Sequence, residues 1–402
     1  MRPACRICNA QLTNRIFSIS DMPLTDDFVE TSIQDKVEYV QDINIYHCNN
    51  CGVIQNPDDF DHETYYQDYQ YSTGHSAFTK RFMAAYAAEI IDTFKNVNGR
   101  DAVSVLEVGS GDGQQLMFFK PLGVKTLLGV EPSEYLAKIA NKMGIKTQIE
   151  LFGTHMLSHT PSQVDVCLSS YTFDHVRQPL DYLAAAHRLL VDGGILALEI
   201  HDFRKIVERT EYCLFEHEHT IYLNDEDVRE LLERSGFLVL SLNPLSPDVT
   251  RGNSLIVIAK KVVADNFFTP GKKTEQTFEL AQLHDRIMST INRIDCWIDG
   301  LPKSSRIVGF GAGGRGVMTV AALSGHGKIE ALLDSNYQSG KYLTPKTRIP
   351  IVGPDAWARY KDAYCVVFSY GYYEEILYSL EKVGFDKGKI ISLLDFYQNR
   401  DQ

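Results

Sequence analysis

The segment 105–116, VLEVGSGDGQQL, constrains the fold of this chain more than any other. It begins with apolar and β-branched residues, continues with glycines at alternate positions, and ends with residues that can open a helix. A buried parallel strand that turns through glycines into a helix places unpaired backbone N–H groups beside a bound cofactor. Glycine is required because the turn needs unusual torsions and the ligand must touch the backbone. The segment therefore predicts a parallel α/β sheet with a cofactor loop.

The spacing of these glycines selects the kind of cofactor. A dinucleotide loop reads G-x-G-x-x-G, but the sixth position counted from Gly109 is Gln114, and the last glycine comes one residue early, at Gly113. The order E-x-G-x-G-x-G, which starts at Glu107, is instead similar to the first motif of S-adenosylmethionine (SAM) methyltransferases. We therefore expect SAM here, the alternative being an ordinary strand–loop–helix whose glycines serve packing.

Three further positions are expected to contact this cofactor. A second strand, over 126–130, ends in Glu131, whose carboxylate can accept hydrogen bonds from both ribose hydroxyls. Phe152 trails a third short strand and can flank the adenine. Ser170 ends a fourth strand, at the sheet edge where open α/β sheets bind ligands. The expected cofactor set is Glu107, Gly109, Gly111, Gly113, Glu131, Phe152 and Ser170.

The part of the chain from 103 to about 261 alternates strands with helices, which predicts a parallel sheet with helices on both faces. The elements expected there, besides the strand over 126–130, are strands over 146–149, 164–170 and 195–200, a closing strand over 255–261, and helices over 179–190 and 224–237. Apolar residues at helical intervals predict a further helix upstream, over 76–94.

Length and charge limit the classes of function. A chain of 402 residues with 44% hydrophobic residues should form two or three globular domains. Its formal net charge of −12 argues against binding to a nucleic-acid backbone. It contains no apolar window near the ~18 residues of a membrane span, and its first residues lack the apolar core of a signal peptide. We therefore expect a cytoplasmic protein without nucleic-acid or membrane partners.

Four of the eight cysteines form two C-x-x-C pairs. Cys5 and Cys8 are separated from Cys48 and Cys51 by 39 residues. Two such knuckles supply four thiolates for a closed tetrahedral Zn²⁺ site, which has no open position for chemistry and is therefore structural. The long gap predicts an inserted strand or loop between the knuckles. His47 is expected to be a bystander, and the alternative is a set of reduced cysteines that only pack.

A segment dense in imidazole and carboxylate groups follows the sheet. Residues 212–222 read YCLFEHEHTIY and lack the H-E-x-x-H spacing of a zinc protease helix. A carboxylate beside an imidazole can fix its tautomer and raise its basicity, which suits proton abstraction. The segment therefore predicts a general base, the alternative being a solvated acidic loop.

A second α/β unit begins near residue 306, after a long helix predicted over 272–297. Gly309, Gly311 and Gly314 match G-x-G-x-x-G, and Asp334 ends a strand 20 residues past the last of them. These residues predict a site for NAD or another nucleotide, and the residues alone do not separate the two.

Taken together, these pieces resemble the sugar C-methyltransferases that act on nucleotide-linked 4-keto-6-deoxy sugars. The resemblance rests on the paired C-x-x-C lobe, LEVGSGDG, the H-E-H segment, GFGAGGRG, and DSN followed by GKYLTPKTRIPI. It implies a class I SAM methyltransferase Rossmann-like domain with an N-terminal zinc-binding lobe and a second, C-terminal Rossmann-like α/β domain. The domains expected are a zinc lobe over 1–70, a SAM domain over 71–265, and a nucleotide-sugar domain over 266–402.

The resemblance also implies roles for individual residues. His219 is the base that removes a proton next to a ketone, Glu218 orients it, and His175 and Tyr71 donate hydrogen bonds on the enolate and ketone sides. Tyr69 is the alternative to Tyr71. The substrate contacts implied are Gly311, Gly314, Arg315, Asp334, Lys341 and Arg348. In one respect the chain departs from that family, because Glu216 stands where its members carry a tyrosine.

Three other functions remain open at this point. The same scaffold can methylate an oxygen or a nitrogen, with His219 deprotonating a hydroxyl or an amine. The second glycine motif can serve an NAD-dependent oxidoreductase, although no hydride-transfer partners accompany it. A non-catalytic zinc scaffold would leave both glycine loops unexplained. The sequence is compatible with a monomer or a small homo-oligomer.

Overall fold

The computed structural model describes residues 3–33, 35–67, 69, 76–158, 163–262, 280 and 282–397. The chain divides into two compact units, and both are assembled from separate segments. The first unit comprises residues 1–14, 47–204 and 220–274, and the second comprises 15–46, 205–219 and 275–402. The expected division at residues 70 and 265 differs from this one and stays a prediction.

The strands in chain order are β1 (Asn14–Pro23), β2 (Val29–Glu30), β3 (Val40–His47), β4 (Ile54–Gln55), β5 (Ser104–Val108), β6 (Thr126–Val130), β7 (Lys146–Gln148), β8 (Val164–Ser170), β9 (Leu190–His201), β10 (Ile221–Tyr222), β11 (Phe237–Leu242), β12 (Ser254–Lys261), β13 (Ile307–Phe310), β14 (Ile329–Leu333), β15 (Tyr342–Leu343), β16 (Ile351–Val352), β17 (Tyr364–Val367) and β18 (Ile390–Ser392).

The helices are α1 (His62–Gln67), α2 (Ala77–Asn98), α3 (Gln114–Met117), α4 (Glu134–Lys142), α5 (Pro179–Leu189), α6 (Phe203–Arg209), α7 (Asp225–Arg234), α8 (Leu283–Gly300), α9 (Gly314–Ala322), α10 (Tyr373–Val383) and α11 (Leu394–Tyr397). Within the described ranges, no helix is long and apolar enough to cross a membrane.

The first unit is built on a seven-stranded sheet in the order β11-β12-β9-β8-β5-β6-β7. The five strands from β9 to β7 run parallel, and β12 and β11 close the sheet by antiparallel pairing. The expected parallel sheet with crossover helices is therefore confirmed. Because the parallel strands point the same way, their carboxyl ends bring the loops after β5, β6 and β8 to one edge.

Helix α2 covers one face of this sheet. It begins where the Ser76 hydroxyl accepts a hydrogen bond from the Thr79 amide and ends at Gly99, which has a left-handed φ of 66°. Its apolar stripe, with Phe82 and Phe94 among its members, is buried against residues of β5, β8 and β9. The helix predicted from this periodicity is thus present and runs four residues further.

The second unit contains a five-stranded parallel sheet in the order β16-β14-β13-β17-β18. Three N-terminal strands belong largely to this unit as well, because residues 15–46 are part of it. Among them, β2 pairs antiparallel with β15 and β1 lies beside β3. The inserted chain expected between the cysteine knuckles therefore forms strands. Of the long helix expected over 272–297, the described part is α8, and residues 271–279 lie outside the described ranges.

Candidate functional site

The four cysteines of the two knuckles lie together in the first unit. Their sulfur atoms are all within 4.8 Å of one another. The Sγ atoms of Cys5 and Cys51 are 3.6 Å apart, and those of Cys8 and Cys48 are 3.5 Å apart. Four thiolates at ~2.3 Å from a tetrahedral Zn²⁺ ion would have sulfur–sulfur distances of roughly 3.8 Å. The cluster therefore fits Zn²⁺.

The two knuckles have the same backbone geometry. The Asn9 amide donates to the Cys5 carbonyl at 2.9 Å, and the Gly52 amide donates to the Cys48 carbonyl at 2.8 Å. Asn9 and Gly52 have left-handed φ values of 58° and 80°, which asparagine and glycine adopt readily. The Gln55 amide group also donates to the Cys5 sulfur at 3.1 Å, and such a hydrogen bond favours the thiolate form.

The glycine loop after β5 adopts the conformation that its sequence predicts. Gly109, Gly111 and Gly113 all have left-handed φ values, of 68°, 52° and 83°. A Cβ atom on Gly109 would lie 2.2 Å from the Thr172 hydroxyl, whereas a Cβ on Gly111 would meet nothing within 4 Å. The space beside Gly111 is thus open to a ligand, while Gly109 is required by packing.

Two buried carboxylates flank this loop. Glu131, directly after β6, accepts hydrogen bonds from the amides of Gly111 and Ser133, both at 2.8 Å. Glu107 is only 3% exposed, and its Oε2 atom has no hydrogen-bond partner among the described residues. Burial raises the pKa of Glu107 well above its usual value, and the charges of Asp112 and Glu131 add to this rise. A cationic group such as the sulfonium or ammonium of SAM would satisfy this orphaned carboxylate.

The other residues expected at the cofactor lie beside the sheet edge. Ser170 ends β8, and its buried hydroxyl has no hydrogen-bond partner within the described part of the chain. Phe152 packs edge-on against Tyr182, with ring centroids 4.8 Å apart. Tyr69, the alternative to Tyr71, accepts a hydrogen bond from the Ser133 hydroxyl through its carbonyl at 2.6 Å. Tyr71 itself lies outside the described residues.

Two side chains that the sequence did not single out, Tyr66 and His201, lie beside the expected residue His175 and its neighbour Asp174 at this edge of the first unit. His175 receives a contact from the Tyr66 hydroxyl, which is 2.9 Å from His175 Nδ1. Next to it, Asp174 Oδ2 lies 2.6 Å from the Nδ1 atom of His201, the last residue of β9. Tyr66 and His201 are therefore additional polar groups at the expected acceptor side. Sequence reasoning missed both residues, because Tyr66 is one of several clustered tyrosines and His201 ends an otherwise apolar strand.

Residues 212–219, which contain the H-E-H sequence, belong to the second unit, and each of them is buried. His217 Nε2 lies 2.9 Å from the Met22 carbonyl, so this ring serves the packing. Glu218 accepts hydrogen bonds from the amide and hydroxyl of Thr25, at 2.7 and 2.8 Å. Within the second unit, the Glu216 carboxylate lies beside His219, with its Oε2 atom 3.7 Å from His219 Nε2. The contacts found for Glu218 thus differ from the orienting role expected of it.

His219 has a defined tautomer. Its Nδ1 atom lies 2.7 Å from the carbonyl oxygen of Leu214. A carbonyl can only accept, so Nδ1 carries the proton and the neutral ring has its lone pair on Nε2. The side chain is 4% exposed. The ring is therefore held in the form that can accept a proton at Nε2.

The glycine loop of the second unit is filled by contacts within that unit. A Cβ on Gly311 would lie 2.4 Å from the Ser369 hydroxyl, and one on Gly314 would lie 2.6 Å from Glu216 Oε1. Asp334 accepts hydrogen bonds from the amides of Ala312 and Asn336, both at 2.9 Å. Contact of Gly311, Gly314 and Asp334 with a nucleotide stays a prediction.

The cationic residues expected at the substrate have partners of their own. Arg348 pairs with Glu38, with 2.8 Å between its guanidinium nitrogen and the carboxylate. The Arg315 guanidinium lies over the Tyr370 ring, 5.1 Å from its centroid. The Lys341 ammonium lies 4.7 Å from the centroid of the Tyr342 ring. All three belong to the second unit, and their contact with a substrate stays a prediction.

Three family models match successive parts of this chain. The model described as "Putative zinc binding domain" matches residues 5–66, and the one described as "Methyltransferase domain" matches 78–242. A third, "C-methyltransferase C-terminal domain", matches 273–394. Together with the two sheets, these matches confirm the expected fold class of a SAM methyltransferase domain with a zinc-binding lobe and a C-terminal α/β domain.

Individual proteins resemble the chain as well. The C-methyltransferase NovU of Streptomyces niveus is 22% identical over 392 residues, covering 93% of this chain and 91% of that protein. The ubiquinone biosynthesis O-methyltransferase of Dinoroseobacter shibae is 25% identical and covers 42% of this chain and 73% of that protein. The plantazolicin methyltransferase BpumL, solved with SAH, is 19% identical over 46% of this chain and 85% of its own, at a TM-score of 0.37.

Proposed function

This chain is a member of the SAM-dependent C-methyltransferase family, and from that premise we propose that it methylates C3 of a nucleotide-linked 4-keto-6-deoxy sugar with His219 as the base. The family follows from the three consecutive models and from the full-length similarity to NovU. The sugar acceptor is supported by the motifs that resemble the sugar C-methyltransferases.

The observation that carries the role of His219 is its hydrogen bond to the Leu214 carbonyl. That bond leaves a lone pair on Nε2 of the neutral ring. The carboxylate of Glu216, 3.7 Å from Nε2, stabilises the imidazolium that forms when this atom takes a proton. A general base needs both properties, a lone pair on the atom that accepts the proton and a stabilised protonated form.

The reaction follows from this base. His219 Nε2 takes the proton from C3 of the sugar, and the C–H electron pair passes into the C3–C4 bond as the ketone oxygen becomes negative. The enolate re-forms the ketone as its C3 atom bonds to the transferred methyl group, and the methyl–sulfur electron pair stays on sulfur. SAM supplies the electrophilic methyl group for this step. The chain's own part is to orient the acceptor, hold the proton and exclude water.

The enolate needs hydrogen-bond donors where its negative charge develops. His175, with the Tyr66 hydroxyl 2.9 Å from its Nδ1 atom, is proposed as one donor, and Tyr71 as another. Glu216 cannot replace the hydroxyl of the family's tyrosine as a donor unless it is protonated. The acceptor side of this chain is therefore expected to differ from that of its relatives.

SAM is proposed to lie against the glycine loop after β5. The open space at Gly111 and the unpartnered Oε2 atom of Glu107 support this placement. Glu131 would accept the ribose hydroxyls with lone pairs that its two backbone donors leave available. Phe152 and Ser170 are proposed to flank the adenine and the sheet-edge side of the cofactor.

The test uses the His219→Ala variant, labelled SAM and a panel of nucleotide-linked keto sugars. Loss of a general base should lower turnover by about 10²–10⁴-fold, while the Kd for SAM stays close to that of the wild type. His284→Ala is the matched control, because this histidine is exposed on α8 of the same unit. Full turnover by His219→Ala would remove this residue from the role of base.

The acceptor atom is tested separately. In the absence of SAM, enolate chemistry predicts that solvent deuterium enters the sugar carbon next to the ketone. Product mass and label position then identify the methylated atom. Methylation without such exchange, with the label on oxygen or nitrogen, would favour an O- or N-methyltransferase that uses the same base.

A further inference from the structure

We infer that the glycine loop of the second unit is an internal receptor for the carboxylate of Glu216, and that Glu216, held there, is a positioning residue for His219. This inference rests on the proposed function in that it takes His219 as the base. It concerns the position where the chain departs from the family it resembles.

The first step is the contact at the start of α9. A Cβ atom on Gly314 would lie 2.6 Å from Oε1 and 3.4 Å from Oε2 of Glu216. A side chain at position 314 would therefore overlap the carboxylate. In nucleotide-binding loops, glycine is needed because a phosphate approaches the backbone at the helix N-terminus. Here the anion at this glycine belongs to the chain itself, and the helix N-terminus favours its negative charge.

The second step is the other end of the same carboxylate. Its Oε2 atom is 3.7 Å from Nε2 of His219, and the two side chains are 9% and 4% exposed. A single buried carboxylate thus lies between the first residue of α9 and the ring atom that acts as the base. Movement of Glu216 would change what Nε2 faces.

The third step is the rigidity of the segment that carries both residues. The Tyr397 hydroxyl donates to the Cys213 sulfur at 3.1 Å, and the Phe215 ring packs edge-on against Phe17, with centroids 4.7 Å apart. Leu214, between them, holds Nδ1 of His219. Because the backbone is held in this way, the contact of the Glu216 carboxylate with Gly314 determines the distance between that carboxylate and the His219 imidazole.

This arrangement also bears on the dinucleotide motif. A pyrophosphate at the N-terminus of α9 would lie beside the buried carboxylate of Glu216, and two anions at one buried position repel each other. The glycine at position 314 is therefore explained without NAD. The glycine at 314 serves the close approach of a side chain from the H-E-H segment.

The experiment compares Glu216→Ala, Glu216→Gln and Gly314→Ala with the wild type. Gly327→Ala is the matched control, since a Cβ at this glycine of the same unit meets nothing within 4 Å. One readout is methyl transfer, resolved into kcat and the Kd for SAM. A second, independent of activity, is the NMR resonance of the His219 Nδ1–H proton in the full-length protein, assigned by its absence from His219→Gln.

We expect Glu216→Ala and Gly314→Ala to lower kcat by about tenfold or more, equivalent to about 1.4 kcal/mol, with the Kd for SAM within about twofold of wild type. The His219 resonance should broaden or shift in both. Glu216→Gln should keep the resonance near its wild-type position, because an amide oxygen can still accept at the helix N-terminus, and lower kcat by less than the alanine variant.

Wild-type kcat together with an unchanged resonance in Glu216→Ala would overturn the inference while leaving His219 as the base. Conversely, full turnover by His219→Ala would end the proposed function, and the resonance would then still report whether Glu216 positions the ring. If Gly314→Ala fails to fold, the two Glu216 variants decide the matter.

Discussion

The sharpest prediction concerns two glycines of the loop after β5, because the structure separates their roles. Gly109 and Gly111 both have left-handed φ values, so alanine at either costs about 1–2 kcal/mol of stability through backbone strain. At Gly109 the new methyl group would also lie 2.2 Å from Oγ1 and 2.8 Å from Cγ2 of Thr172. Overlap in a packed site adds about 1–3 kcal/mol.

Gly109→Ala should therefore lower the free energy of unfolding by roughly 2–5 kcal/mol. Gly111→Ala should lower it only by the backbone strain, about 1–2 kcal/mol. Thr172→Ala in the Gly109→Ala background removes both overlapping atoms and leaves Cβ at 3.1 Å. Much of the lost stability should then return. Urea denaturation of the three variants measures these differences.

For SAM binding, the substitution of Gly111 should have the larger effect of the two. A methyl group on Gly111 enters the open space proposed for the cofactor, and we expect the Kd for SAM to rise by about tenfold or more. Gly123→Ala is the matched control, because Gly123 also has a left-handed φ, of 91°, and a Cβ there also meets nothing within 4 Å. If calorimetry gives Gly111→Ala and Gly123→Ala the same Kd, the cofactor does not lie beside Gly111.

Two further predictions concern the zinc cluster and a buried histidine. Elemental analysis should find one Zn²⁺ ion per chain. The Cys5→Ser variant should lose this ion, and its Tm should fall by several degrees, because metal binding contributes folding free energy. A metal-free wild type with four reactive thiols would contradict this prediction. Burial lowers the pKa of His62 to about 3. Between pH 6.5 and pH 3 the unfolded chain therefore binds a proton that the folded chain does not, and the free energy of unfolding falls as the pH falls through this window. At pH 5 this loss is about 2 kcal/mol relative to pH 7, and urea titrations should show a smaller loss in His62→Phe; an equal loss in both proteins would refute it.

Local patterns predicted the frame of the first unit well. The strands expected over 126–130 and 164–170 have those bounds in the structure, because β-branched runs between turns specify buried strands directly. The C-x-x-C spacing likewise predicted the cluster, since two residues between cysteines suffice to form the turn. These features depend on near neighbours along the chain.

The sequence did not reveal features that depend on distant parts of the chain. The position of Glu218 beside His219 in the H-E-H sequence predicted that its carboxylate orients that histidine. In the structure this carboxylate accepts hydrogen bonds from Thr25, which is 193 residues away along the chain. Glu216, which stood out in the sequence only as a departure from the family, has its carboxylate 3.7 Å from His219 Nε2. Likewise, G-x-G-x-x-G describes a backbone shape, and the shape alone does not say whether a phosphate or a carboxylate fills it.

The interleaved order of the segments limits how the enzyme can be dissected or rebuilt. A fragment that starts at residue 275 would contain the C-terminal sheet but not Glu38, which pairs with Arg348, nor β2, which pairs with β15. It would also lack Glu216, whose carboxylate lies at the start of α9. A single cut therefore yields no intact half, and transfer of the second unit between relatives would require residues 15–46 and 205–219 along with the tail.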